Sequence, residues 1–228
     1  MPEVNASNQA RPIERDVERS VSLALHSKAA SRLLRGRPRS EDKPAIIGLF
    51  GVADRLRIIW IRANVGDPFA RWWLLRIEAA IGTADARLAL GLAEAEALLS
   101  EHQALCLDAE AGRETECVLL AFACPYAYWM ARLIAALDRL IVRLDLAVTL
   151  GALRRGDAAR RRHEAERTLR AAFASALGYH DLGITENGSS ANAAAFADAT
   201  KMMGELPADV ARGERWPVLL EAMGSLES

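Results

Sequence analysis

The sequence predicts a mainly α fold with a small β component: a helical bundle carrying a ribbon-helix-helix-like N-terminal element and a short β-hairpin. Three observations predict it. Hydrophobic residues make up 51% of the 228-residue chain but aromatic ones only 6%, so the core is built from Leu, Ala, Ile and Val, a mixture that favours helix packed on helix. Long segments, above all Pro68 to Glu101 and Tyr126 to Leu150, repeat their apolar residues at helical spacing. Strand-like stretches are few and short, near residues 20–25 and 104–123.

Residues 1–18 are polar, broken by Pro2 and Pro12, and read as a disordered arm. A single helical domain is expected over 19–213, opening with a strand-helix-helix element at 19–63. Val21, Leu23 and Leu25 alternate with Ser20, Ser22 and Ala24, the period of a strand with one face in a core. Ser27 is placed to cap a short helix. Gly36, Pro38 and the turn Ser40 to Pro44 stop it and start a longer helix from Pro44 to Ala63, with Ile46, Ile47, Leu49, Phe50, Leu56 and Ile59 in its stripe. So short a strand does not stand alone. Pairing with the same strand of a second subunit would make a two-stranded ribbon of the kind that enters the major groove of DNA.

Asp67 as cap and Pro68 at the first position start the long helix of 67–101. Trp72 and Trp73 cannot share one narrow stripe, so that turn contacts two neighbours. A β-hairpin is expected at 103–123, then a helical hairpin at 125–177, with Gly151 closing its first helix and Asp157 capping its second. A weaker helix fills 190–204, and 214–228 reads as a tail. The strand at 116–123, followed by two helices, is a second candidate for the ribbon element, with the first strand joining it in one sheet.

Net charge is −1, but its distribution is uneven. From Arg11 to Arg39, eight basic residues face Glu14, Asp16 and Glu18, a balance of +5; from Leu92 to Glu116, seven acids face Arg113 alone, a balance of −6. That polarity suits a basic surface on phosphate with the rest of the chain keeping it in solution. Arg19, Ser20, Ser22, Ala24, Lys28, Arg32, Arg35, Arg37 and Arg39 form the candidate DNA-binding set: the small side chains face the groove and the cations hold phosphates. Arg154, Arg155, Arg160, Arg161 and Arg162 form a secondary basic patch, for which a solvated surface paired along the helix with Glu164 and Glu166 is the favoured reading.

No enzyme is expected. The chain has no phosphate-binding glycine loop and no nucleophile elbow. His26, His102, His163 and His180 are far apart without metal-ligand spacing and read as surface residues, and Cys106, Cys117 and Cys124 have no CxxC spacing. No cofactor, metal or small-molecule ligand is called for. No run reaches the roughly 18 apolar residues of a membrane span, so a cytoplasmic protein is expected.

Several segments together carry a family resemblance: Gly36-Arg37-Pro38, Lys43 to Leu49, Asp67 to Glu78 with its WWLLRIE run, Pro125-Tyr126-Ala127-Tyr128, Gly178-Tyr179 and Met203 to Pro207. Over about residues 20–213 the chain resembles proteins of integrating conjugative elements related to the AcaB-type transcriptional activators of conjugative plasmids. Cys124 stands where that pattern leads one to expect Asn. The resemblance implies a homodimeric, sequence-specific DNA-binding regulator of ribbon-helix-helix character that controls transfer genes of a mobile element, with double-stranded DNA as its partner. The alternative is a non-enzymatic structural or adaptor protein of the element that binds a protein through its long helices.

Overall fold

The computed structural model describes residues 21–38, 45–102, 114–185 and 190–224. The arm at 1–18, the first strand of the expected hairpin, and Arg19, Ser20 and Arg39 of the candidate site lie outside these. Two helices running side by side in the same direction form the spine, α3 (Pro68–Ser100) and α4 (Pro125–Thr149), with Glu78 beside Tyr126 and Gly91 beside Leu140. They pack against each other more extensively than any other pair of elements, and α5 (Arg155–Ala174) lies against both. Asp67 starts α3 as the sequence requires, its Oδ1 accepting the N–H groups of Phe69 and Ala70 at 2.8 and 3.1 Å, with Pro68 in the first turn. Gly151 follows α4 at a φ of 76°, a left-handed conformation that glycine adopts without strain. α5 begins earlier than its candidate cap: Asp157 sits in its first turn, where a carboxylate favours the helix N-terminus.

The strand β1 (Val21–Leu25) is present, but its partner is β4 (Glu116–Leu120) of the same chain, antiparallel with Val21 opposite Leu120 and Leu25 opposite Glu116. This corrects the ribbon built from two copies. Leu25 and Leu120 point inward and are 1% exposed, so pairing within the chain buries both apolar ends over α4. The first strand of the hairpin expected at 103–123 lies outside the described residues; within them β4 pairs with β1, from the far N-terminal side.

The 19–63 element differs too. After α1 (Lys28–Arg35), capped by Ser27, the chain forms two very short strands, β2 (Gly36–Arg37) and β3 (Ile46–Ile47), before α2 (Leu49–Asn64). The expected helix from Pro44 therefore starts only at Leu49. Gly36 and Gly48 explain why: a Cβ on Gly48 would lie 2.1 Å from the Gly36 nitrogen, and one on Gly36 would lie 2.4 Å from the Ile46 carbonyl oxygen. Two backbones cross here in a space that only glycine leaves open.

α6 (Ser190–Met203) matches its expected extent. The stretch read as a tail from residue 214 contains α8 (Val218–Gly224), preceded by the short α7 (Ala208–Ala211). The Val218 N–H donates to Glu78 Oε1 at 2.8 Å, the same oxygen that accepts the Tyr126 hydroxyl at 2.5 Å. Leu220 joins the core cluster that begins at Leu25. The polar composition hid this anchor, which needs one carboxylate on α3 and a few apolar side chains.

Candidate nucleic-acid interface

Lys28, Arg32 and Arg35 are spaced at four and three residues, so they share one face of α1, while Ala30, Leu33 and Leu34 on the opposite face are buried. Arg32 and Arg35 in the last turn also suit the negative end of the helix. α1 is held in place from below. Asp138 of α4, 2% exposed, accepts the His26 N–H on Oδ2 and the Ser27 N–H on Oδ1, each at 2.8 Å. His26 Nδ1 lies 3.1 Å from the same carboxylate with its side chain 13% exposed. His26 is thus a junction residue between β1 and α1 rather than a surface histidine.

The four described cations of the set are exposed, but they are not equivalent. Arg35 forms an ion pair with Glu116 at the start of β4, and the Ser31 hydroxyl donates to the other Glu116 oxygen at 2.7 Å. The Arg35 and Ser31 hydrogen bonds hold the Glu116 carboxyl below its usual value. Arg35 therefore stitches α1 to the ribbon. Lys28 and Arg32 have no carboxylate within ion-pair distance among the described residues. Arg32 and Arg37 also line a groove of about 310 Å³ between α1, β3 and α5, together with Glu166 and Arg170, which pair at 3.2 Å. Arg170 belongs to this basic surface, yet its place 133 residues after Arg37 left no local signal in the sequence.

The open face of the ribbon is less suited to reading bases than its N-terminal strand suggested. Ser22 and Ala24 are exposed as expected, but register places Leu119 and Cys117 beside them, and Leu119 is 68% exposed. No cation stands on that face among the described residues. The alternative strand, β4 followed by α4 and α5, has the strand-helix-helix order, but its outer face is the same apolar one.

The secondary patch is mostly neutralised. Arg160 pairs with Asp157 at 2.7 Å, Arg161 with Glu94 of α3 at 2.9 Å, and Arg162 with Asp145 of α4 at 2.5 Å. The partners are these three acids, two of them on other helices, rather than Glu164 and Glu166. Arg154 and Arg155 remain exposed at the hairpin tip.

The segments that carry the resemblance lie at structural nodes. Trp73 donates to the Ser175 carbonyl at 2.7 Å and would be 2.8 Å from a Cβ on Gly178. Tyr179 donates to Asp67 Oδ2 at 2.7 Å. Trp72 turns instead toward Phe69 and toward Gly204, which has a φ of 98°. The adjacent tryptophans do contact two neighbours.

The fold is a helical bundle with a two-stranded ribbon inside one chain and a cationic helix face beside it, and no helix among the described residues is long and apolar enough to cross a membrane. The sequence profile of the transcriptional regulator AcaB matches residues 16–223, and the chain belongs to that family of transcriptional regulators. No curated protein and no solved structure matches it.

Proposed function

We propose that this protein is a dimeric, sequence-specific DNA-binding regulator that acts in the cytoplasm on the transfer genes of a conjugative element. Membership of a transcriptional-regulator family gives the regulatory part. The observation that carries the DNA-binding part is the α1 corner, where Lys28 and Arg32 stand exposed without ion-pair partners among the described residues. Arg37 extends the corner, and Arg170 from α5 lines the same groove as Arg32 and Arg37. In this reading the cations hold phosphates and set orientation, while Ser22 and DNA shape contribute to sequence choice. Arg35 has a different role from the one its neighbours play: it holds α1 to β4, so its loss weakens the corner as well as removing a charge.

A footprint of the purified protein over its own element's promoters tests this. The expected result is discrete protected sites that K28E/R32E abolishes while the far-ultraviolet spectrum is unchanged. Protection that survives the double reversal would remove the α1 corner from the interface, and the absence of any protected site would remove the DNA-binding reading.

A further inference from the structure

α2 is amphipathic in an unexpected way: its outward face is apolar as well. Its inner face, with Leu49, Val52, Leu56 and Ile59 buried, packs on α1, α3 and α4. On its outer face Phe50 is 39%, Ile58 36%, Ile61 50% and Val65 51% exposed, and Ile47 just before the helix is 46% exposed. At helical spacing Phe50, Asp54, Arg57, Ile58, Ile61 and Val65 fall within an arc of about 100°. They form one stripe over the length of the helix. The Phe50 ring meets Phe122 at 6.1 Å, which continues the apolar surface past the end of β4.

We propose that this stripe is the surface on which a second copy of the chain docks, α2 against α2 in antiparallel; this rests on the dimeric reading above and says where that dimer forms. The occupant follows from the order of residues along the stripe. Asp54 and Arg57 are exposed, lie three residues apart, and have no ion pair among the described residues. A two-fold axis crossing α2 midway between them sets Asp54 of each copy against Arg57 of the other. The same axis sets Phe50 of each against Ile61 of the other, and brings Ile47 beside Val65. An isologous contact requires this reciprocity, residue against residue in both directions. The five apolar side chains offer about 400 Å² per copy, roughly half of the ~800 Å² per partner of a standard interface. Asp54 and Arg57 sit at the centre of that area beside the two-fold axis, and exposed Arg55 lies at its edge.

The test measures the mass of the full-length protein by sedimentation equilibrium across the micromolar range, for wild type, I61E, D54R, R57D and D54R/R57D. Wild type should reach twice the chain's 24.8 kDa. D54R and R57D, which each set like charges face to face, should each weaken the dimer about tenfold or more, as should I61E. The double swap restores opposite charges and should recover most of the wild-type affinity. All positions are exposed, and equal melting temperatures would establish that the variants fold. A dimer indifferent to I61E and to both single swaps would place the interface elsewhere, overturning this inference while leaving the dimeric regulator standing. Failure of the double swap to recover would overturn the antiparallel pairing. A wild-type monomer would overturn both the interface and the dimeric part of the proposed function.

Discussion

Asp67 shows how one side chain serves two elements. Its Oδ1 caps α3 and its Oδ2 accepts from Tyr179 at 2.7 Å, all at 1% exposure. Burial pushes its carboxyl up, against the three hydrogen bonds that pull it down. A carboxyl whose folded value lies above its unfolded one contributes stability that is full below the unfolded value. That contribution fades as pH rises through the folded value. D67N retains an oxygen for the cap and an amide for the tyrosine oxygen, so its stability in urea at pH 7 should stay close to wild type, without the gain on the acid side. D67A strands two N–H groups and a hydroxyl, and should cost about 2–3 kcal/mol. Equal losses in the two variants would contradict this account. Cys124 offers a second check, since burial pushes its thiol up to about 11 while Cys117 is exposed on β4. Iodoacetamide at pH 8 should label Cys117 readily, and Cys124 only as the protein unfolds; peptide mass spectrometry showing both labelled at one rate would refute that burial.

At the scale of elements, the glycine crossing between β2 and β3 holds the basic end of α1 in place. G48A would force a methyl against the backbone of Gly36 and Arg35, neither of which yields like a side chain. It should cost about 3 kcal/mol or more. Gly82 is the control: it lies inside α3 and a Cβ there meets nothing within 4 Å. G82A should therefore stabilise by about 0.5–1 kcal/mol. Thermal melts that ranked the two the other way would contradict the crossing. The difference also explains what was legible in the sequence. Asp67-Pro68 and Ser27 announce helix starts by local chemistry, and their helices begin there. β2 and β3, at two residues each, have no period to read. The strand character of β1 was visible, but its partner, with Val21 opposite Leu120, is set by tertiary packing that no local pattern encodes.

For the whole molecule, the candidate site was legible in part. The crowding of cations before Arg39 pointed to the α1 corner, but charge counts could not tell that Arg35 is taken up by Glu116. Nor could they tell that Arg161 and Arg162 are taken up by acids of α3 and α4. Those pairings depend on which helices pack together. They turn the hairpin patch into a cross-brace, and leave Lys28 and Arg32 as exposed cations of the corner without an ion pair among the described residues. A cationic surface that holds phosphates does so by displacing counterions, whereas an apolar helix face binding a protein is nearly indifferent to salt. The most direct measurement is a fluorescence-anisotropy titration of a footprinted duplex at several salt concentrations, for wild type and K28E/R32E. The logarithm of affinity should fall steeply and linearly with the logarithm of salt for wild type, with the slope reduced by about 2 in the variant. An affinity that ignores salt, or a slope that the double reversal leaves unchanged, would contradict a phosphate-binding role for the α1 corner.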